Sequence, residues 1–78
     1  MIQYGDKVII SKIIAETEEE KQYMDQYLGM IGTVFLIQEN SKFLYDIILE
    51  RKSGEILAVR EGEISLIEEL WKLEIELK

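Results

Sequence analysis

The chain has 78 residues, 47 % of them apolar, a formal net charge of −7 and neither cysteine nor histidine. At this length it forms one domain that buries only about 60 % of the surface of its unfolded form, so a single core must claim nearly every large apolar side chain. The missing residue types exclude disulfides, thiolate chemistry, Cys/His zinc sites and mechanisms that rest on an imidazole base, while the acidic balance opposes tracking along a nucleic-acid backbone, which requires clustered Lys and Arg.

Apolar runs such as Val8–Ile10 and Val34–Ile37 fall far short of the roughly 18 residues that cross a bilayer, and the opening residues do not read as a signal peptide. A soluble, cytoplasmic protein is expected. Gly5-Asp6 reads as a turn, and the β-branched density from Lys7 to Ile14 predicts the first strand. The acidic stretch from Ala15 to Leu28 loses that character and reads as a long loop with some helix. Thr17 and Glu20 have the spacing of a capping box, after which Tyr23 and Tyr27, and Met24 and Leu28, pair at i and i+4.

Gly29 and Gly32 bracket Met30-Ile31, and Thr33–Ile37 is expected as a central strand buried largely on both faces. Glu39-Asn40-Ser41-Lys42 supplies hairpin-turn chemistry. Phe43 to Glu50 forms the third predicted strand, with Tyr45, Ile47 and Leu49 on one face and Leu44, Asp46, Ile48 and Glu50 on the other. Arg51-Lys52-Ser53-Gly54 makes the next turn, Glu55 to Arg60 the fourth strand, and Glu61-Gly62-Glu63 a tight connection into the fifth, Ile64 to Ile67. In the tail, Leu66, Leu70, Leu73 and Leu77 form a helical stripe, whereas Leu73 to Lys78 alternates as a strand would. A strand from Ile64 to Lys78 would be unusually long, so a helix from Glu68 onward is expected.

Short strands joined by polar turns favour a small barrel or sandwich. Gly5-Asp6-Lys7-Val8, Gly29-Met30-Ile31-Gly32-Thr33-Val34, Tyr45-Asp46-Ile47 and Glu55 to Arg60 leading into Glu63-Ile64 occur in an order that resembles the bacterial and phage SH3-like barrels, including domains of the KOW type. The resemblance implies a mainly β fold, a five-stranded SH3-like barrel over residues 1–67; the long acidic loop after its first strand and the expected helical extension at 68–78, packed on the same domain, depart from the family's pattern. The loop is longer and more acidic than the basic loop by which KOW domains meet RNA, and the acidic-aromatic loop motif of domains that bind proline-rich peptides is missing, so neither ligand class carries over. In type and size the chain resembles phage or prophage accessory proteins.

Candidate binding residues lie where the core does not account for the sequence. Glu18, Glu19 and Glu20, with Glu16 and Asp25, read as a solvated charge run, or as a surface for a divalent cation or a basic partner, although they lack the spacing and the glycine of a calcium loop. Tyr23 and Tyr27 offer amphipathic rings for an interface or caps for a small core. Trp71 heads a stripe that packs on the barrel or meets a partner helix, so either a monomer or a homodimer through the C-terminal helix is consistent. Catalysis would have to rest on a carboxylate pair among Asp46, Glu50, Glu61 and Glu63, which no spacing singles out, and neither an enzyme nor a cofactor or metal is expected. The leading expectation is a non-enzymatic protein-binding module. The alternative is an acidic nucleic-acid mimic that inhibits a DNA- or RNA-binding enzyme. Direct nucleic-acid binding through Lys42, Arg51, Lys52 and Arg60 makes a poor phosphate track, because Glu50, Glu55 and Glu61 interrupt it.

Overall fold

Alternating apolar residues between polar turns produce a mainly β structure. The computed structural model describes residues 2–51 and 54–68. Its elements are β1 (Lys7–Ile10), α1 (Glu18–Asp25), β2 (Ile31–Ile37), β3 (Tyr45–Leu49), β4 (Ile56–Val59) and β5 (Ile64–Leu66). The strands form one antiparallel five-stranded sheet in the order β4-β3-β2-β1-β5. Consecutive strands β1 to β4 meander, and β5 returns to the far side of β1, with Ile9 opposite Ser65.

Side chains alternate across each strand, so the inward positions assemble into one core. Val8 and Ile10, Val34, Tyr45, Ile47 and Leu49, Leu57 and Val59, and Ile64 all belong to it, joined by Met24 from α1 and Tyr27 just beyond. The face expected for Tyr45, Ile47 and Leu49 is the buried one, and Ile48 faces out. Phe35 is the extra residue of a bulge, since Val34 pairs with Ile47 and Leu36 with Asp46. Tyr45 of β3 and Ile64 and Leu66 of β5 line one shallow cavity, although β2 and β1 lie between those strands. A flat sheet would hold β3 and β5 about 14 Å apart, so this sheet is strongly curled.

Several expectations are corrected. The sheet is not closed into a barrel: β4 and β5 are its edges and no ladder joins them. The cause lies in residues 60–63, where the Glu63 amide bonds the Arg60 carbonyl and Gly62 takes φ +94°, turning the chain toward β1 instead of back along β4. The first strand stops at Ile10, short of Ile14, because the Ser11 and Lys12 amides both bond the Glu63 carbonyl and the Ile14 amide bonds the Glu63 carboxylate. β2 begins earlier than expected, at Ile31, and is buried on one face only: Ile31 and Leu36 are exposed on the other, and Ile37, opposite Tyr45, is exposed at the strand's end. Ile67 and Glu68 are helical directly after β5. The rest of the expected C-terminal helix, with Trp71, lies outside the described residues.

Candidate functional site

The acidic segment is a fixed element. Thr17 caps α1, its Oγ1 accepting the Glu20 amide at 3.1 Å, as the capping spacing predicts. The reciprocal bond goes elsewhere: Glu20 Oε2 accepts the Glu16 amide at 3.3 Å. The other Glu20 oxygen turns to the sheet, where Arg60, the residue after β4, places Nη2 2.9 Å from it and Nη1 3.3 Å from Glu16. The guanidinium lies 4.8 Å from the Phe43 ring centre, and Lys42 adds a contact to Glu16 at 3.7 Å. Cation, aromatic face and paired carboxylates thus clamp the start of α1 to the end of β4.

Beyond the other end of α1, Tyr27 is buried and donates to Glu55 Oε1 at 2.8 Å, with its hydroxyl 3.4 Å from that of Tyr23. The Tyr23 hydroxyl and the Glu55 carboxylate, together with burial, hold the Tyr27 phenol well above its usual range. Glu55 immediately precedes β4 and Arg60 immediately follows it, so α1 is tied to both ends of that strand. Between them runs a cleft of about 260 Å³ lined by Glu20, Tyr23, Met24, Phe43, Ile56, Leu57 and Ala58.

The clamp carries a pH dependence. The hydrogen bond from Arg60, then that from the Glu16 amide, holds the Glu20 carboxyl below the usual glutamate value of 4.5. A depressed carboxyl contributes stability that is complete above its unfolded value and is lost as pH falls through the folded one. Arg60→Gln is therefore expected to lower stability at neutral pH and to raise the pH midpoint of acid unfolding. Circular dichroism against pH for both proteins checks this; superimposed acid limbs would refute it.

The expected binding residues separate. Glu18 and Glu19 are exposed at the start of α1 and make no ion pair among the described residues, while Glu20 is engaged by Arg60. Tyr23 is 55 % exposed, its ring 5.6 Å edge-on from that of Tyr27, which is buried. Trp71 lies outside the described residues. Of the residues considered for nucleic-acid contact, Arg60 and Lys42 are turned onto Glu16 and Glu20, and Lys52 is not described. The candidate catalytic carboxylates are dispersed: Asp46 meets Gln38, Glu50 pairs with Lys7 at 3.0 Å, and Glu63 is buried on backbone amides. Among the described residues no cluster of carboxylates could hold a metal ion.

Sequence reasoning missed the clamp partners Phe43 and Arg60 and the outward strand residues Ile56 and Ala58. Strand alternation carried a usable signal for Ile56 and Ala58, which lie opposite the core pair Leu57 and Val59; for Arg60 there was none, since its carboxylate partners lie more than a helix length away in the chain. Comparison with protein-family models, with curated proteins and with solved structures finds no match to this chain.

Proposed function

We propose that the chain is a non-enzymatic protein-binding module with SH3-like strand connectivity, whose recognition surface is the exposed side of α1, with Glu18, Glu19 and Tyr23, beside β4. The strand order β4-β3-β2-β1-β5 supports the scaffold. One observation carries the functional reading: on a helix tied to the sheet at its start and just past its end, Tyr23 at 55 % exposure and Ile56 at 54 % line the same cleft, an aromatic anchor with an apolar residue. Ordered exposed aromatics make favourable contact sites because little side-chain freedom is lost on binding. Glu18 and Glu19, which make no ion pair among the described residues, select a basic partner. Nucleic-acid mimicry draws less support, since Glu16 and Glu20 are neutralised by Arg60 and Lys42.

The loop before Gly29 is not separable from the scaffold, because Met24 and Tyr27 belong to the core, so the reading is tested by surface substitutions. The tagged chain and a Glu18→Lys/Glu19→Lys/Tyr23→Ala variant are compared in pull-downs from nuclease-treated bacterial lysate at low and high salt. A protein retained by the parent and lost from the variant supports the reading. Equal retention by both refutes it, as does recovery of nucleic-acid enzymes alone that vanish in salt, the mimicry outcome.

A further inference from the structure

We infer that the open edge of β4 takes up an extended segment of a partner protein as an additional strand, a segment that alternates apolar residues with Lys or Arg. The inference deepens the protein-binding reading and rests on it.

The geometry begins with the ladder. The Leu49 amide bonds the Glu55 carbonyl at 3.0 Å, and the register continues as Ile48 opposite Ile56, Ile47 opposite Leu57 and Asp46 opposite Ala58. Hydrogen-bonded and non-bonded pairs alternate in an antiparallel ladder, so Leu57 and Val59 bond β3 whereas Ile56 and Ala58 direct N–H and C=O away from it. Those groups have no hydrogen-bond partner among the described residues. Their side chains are exposed on the outer face, where Ile56 lies beside Ile48.

An unpaired edge is a template for another strand, and proteins that leave one open commonly cover it or charge it. Here α1 runs beside the edge but leaves the cleft between Tyr23, Met24 and Leu57, Ala58, with Phe43 contributing its ring. An added strand would set alternate side chains over Ile56 and into that cleft, giving main-chain affinity with side-chain selectivity. Charge selects the occupant. Arg60 and Lys42 neutralise Glu16 and Glu20, leaving Glu18 and Glu19 as the local excess on a chain of net charge −7. A cationic segment is attracted, whereas a second copy would bring like charges together along the same edge.

The test uses the full isotope-labelled chain and a capped synthetic peptide alternating Lys and Val, titrated to about 10 mM, tenfold above a dissociation constant of about 1 mM, which corresponds to about −4 kcal/mol for a short single strand. At a tenfold excess over the dissociation constant, exchange of the Ile56 and Ala58 amides should slow about tenfold. The slowing should vanish at both amides when the peptide is N-methylated at the residues facing β4, and at the Ile56 amide in Ala58→Pro, which removes an edge donor without breaking a bond to β3. The N-methylated peptide keeps the test valid if Ala58→Pro folds poorly. Three results overturn the inference: no change in exchange at Ile56 and Ala58, undiminished binding of the N-methylated peptide, or protection of these amides by raising the protein concentration alone, which would make a second copy the occupant. Should the protein retained in the pull-down bind Ala58→Pro at full strength, the edge is not used and the module reading stands without it.

Discussion

Glu63→Ala is expected to lower the stability of the fold by about 3–6 kcal/mol, a large part of what a domain this small possesses. The residue is 1 % exposed, and its two carboxylate oxygens accept backbone amides from separate segments: Arg60 at 2.6 Å and Ile14 at 2.9 Å. Each is a hydrogen bond to a charged acceptor, worth about 1.5–3 kcal/mol, and alanine would leave both donors short of a partner. The same residue's carbonyl receives Ser11 and Lys12, so this one position holds the turn after β4, the exit from β1 and the entry to β5 together. Glu63→Gln retains one acceptor oxygen and should fall between. Urea denaturation of the three proteins measures the effect, and an alanine variant within about 1 kcal/mol of the parent would show that water satisfies these amides unaided.

Gly32→Ala is expected to cost about 1–3 kcal/mol, and Gly32→Val more. Gly32 lies in β2, opposite Val8 on one side and Leu49 on the other, where neither neighbouring strand can withdraw freely. A Cβ added there would lie 2.9 Å from the Ile48 carbonyl oxygen and 3.3 Å from Ile47 Cδ1. The first contact is to backbone in the middle of the sheet, so relief requires β3 to move, and with it the ladder to β4. The demand on this glycine is for space rather than for a left-handed backbone. A lower denaturation midpoint with an unchanged slope is the expected signature; a midpoint equal to the parent's would mean that β2 and β3 part at little cost.

How the two expectations could be reached from sequence differs. In the sequence Gly32 is one of a glycine pair bracketing Met30-Ile31, but nothing there says that a carbonyl of β3 presses against it. Glu63 read as a turn residue and as one of several candidate carboxylates, and its burial was invisible because its partners lie elsewhere: Ile14 is 49 residues away. The candidate site divides in the same way. The helix start at Thr17 and the closeness of Tyr23 to Tyr27 were legible, since both depend on neighbours within one turn. Which tyrosine is buried was not. Tyr23 sits within α1 and faces out, whereas Tyr27 lies past its end, where the turn leading to Gly29 carries the ring into the core.

Sequence alone determined the order of the five strands, the start of α1 and the grouping of Tyr45, Ile47 and Leu49 on one face of β3, because strand alternation, turn chemistry and capping act over a few residues and need no knowledge of what lies opposite. Tertiary structure decided the rest: that β1 ends at Ile10, that the sheet stays open between β4 and β5, that Arg60 reaches 40 residues back to Glu20, and that an acidic stretch becomes a fixed helix beside an open strand edge. These outcomes turn on hydrogen bonds and ion pairs between distant segments, whose partners are chosen only once the core has brought the strands together.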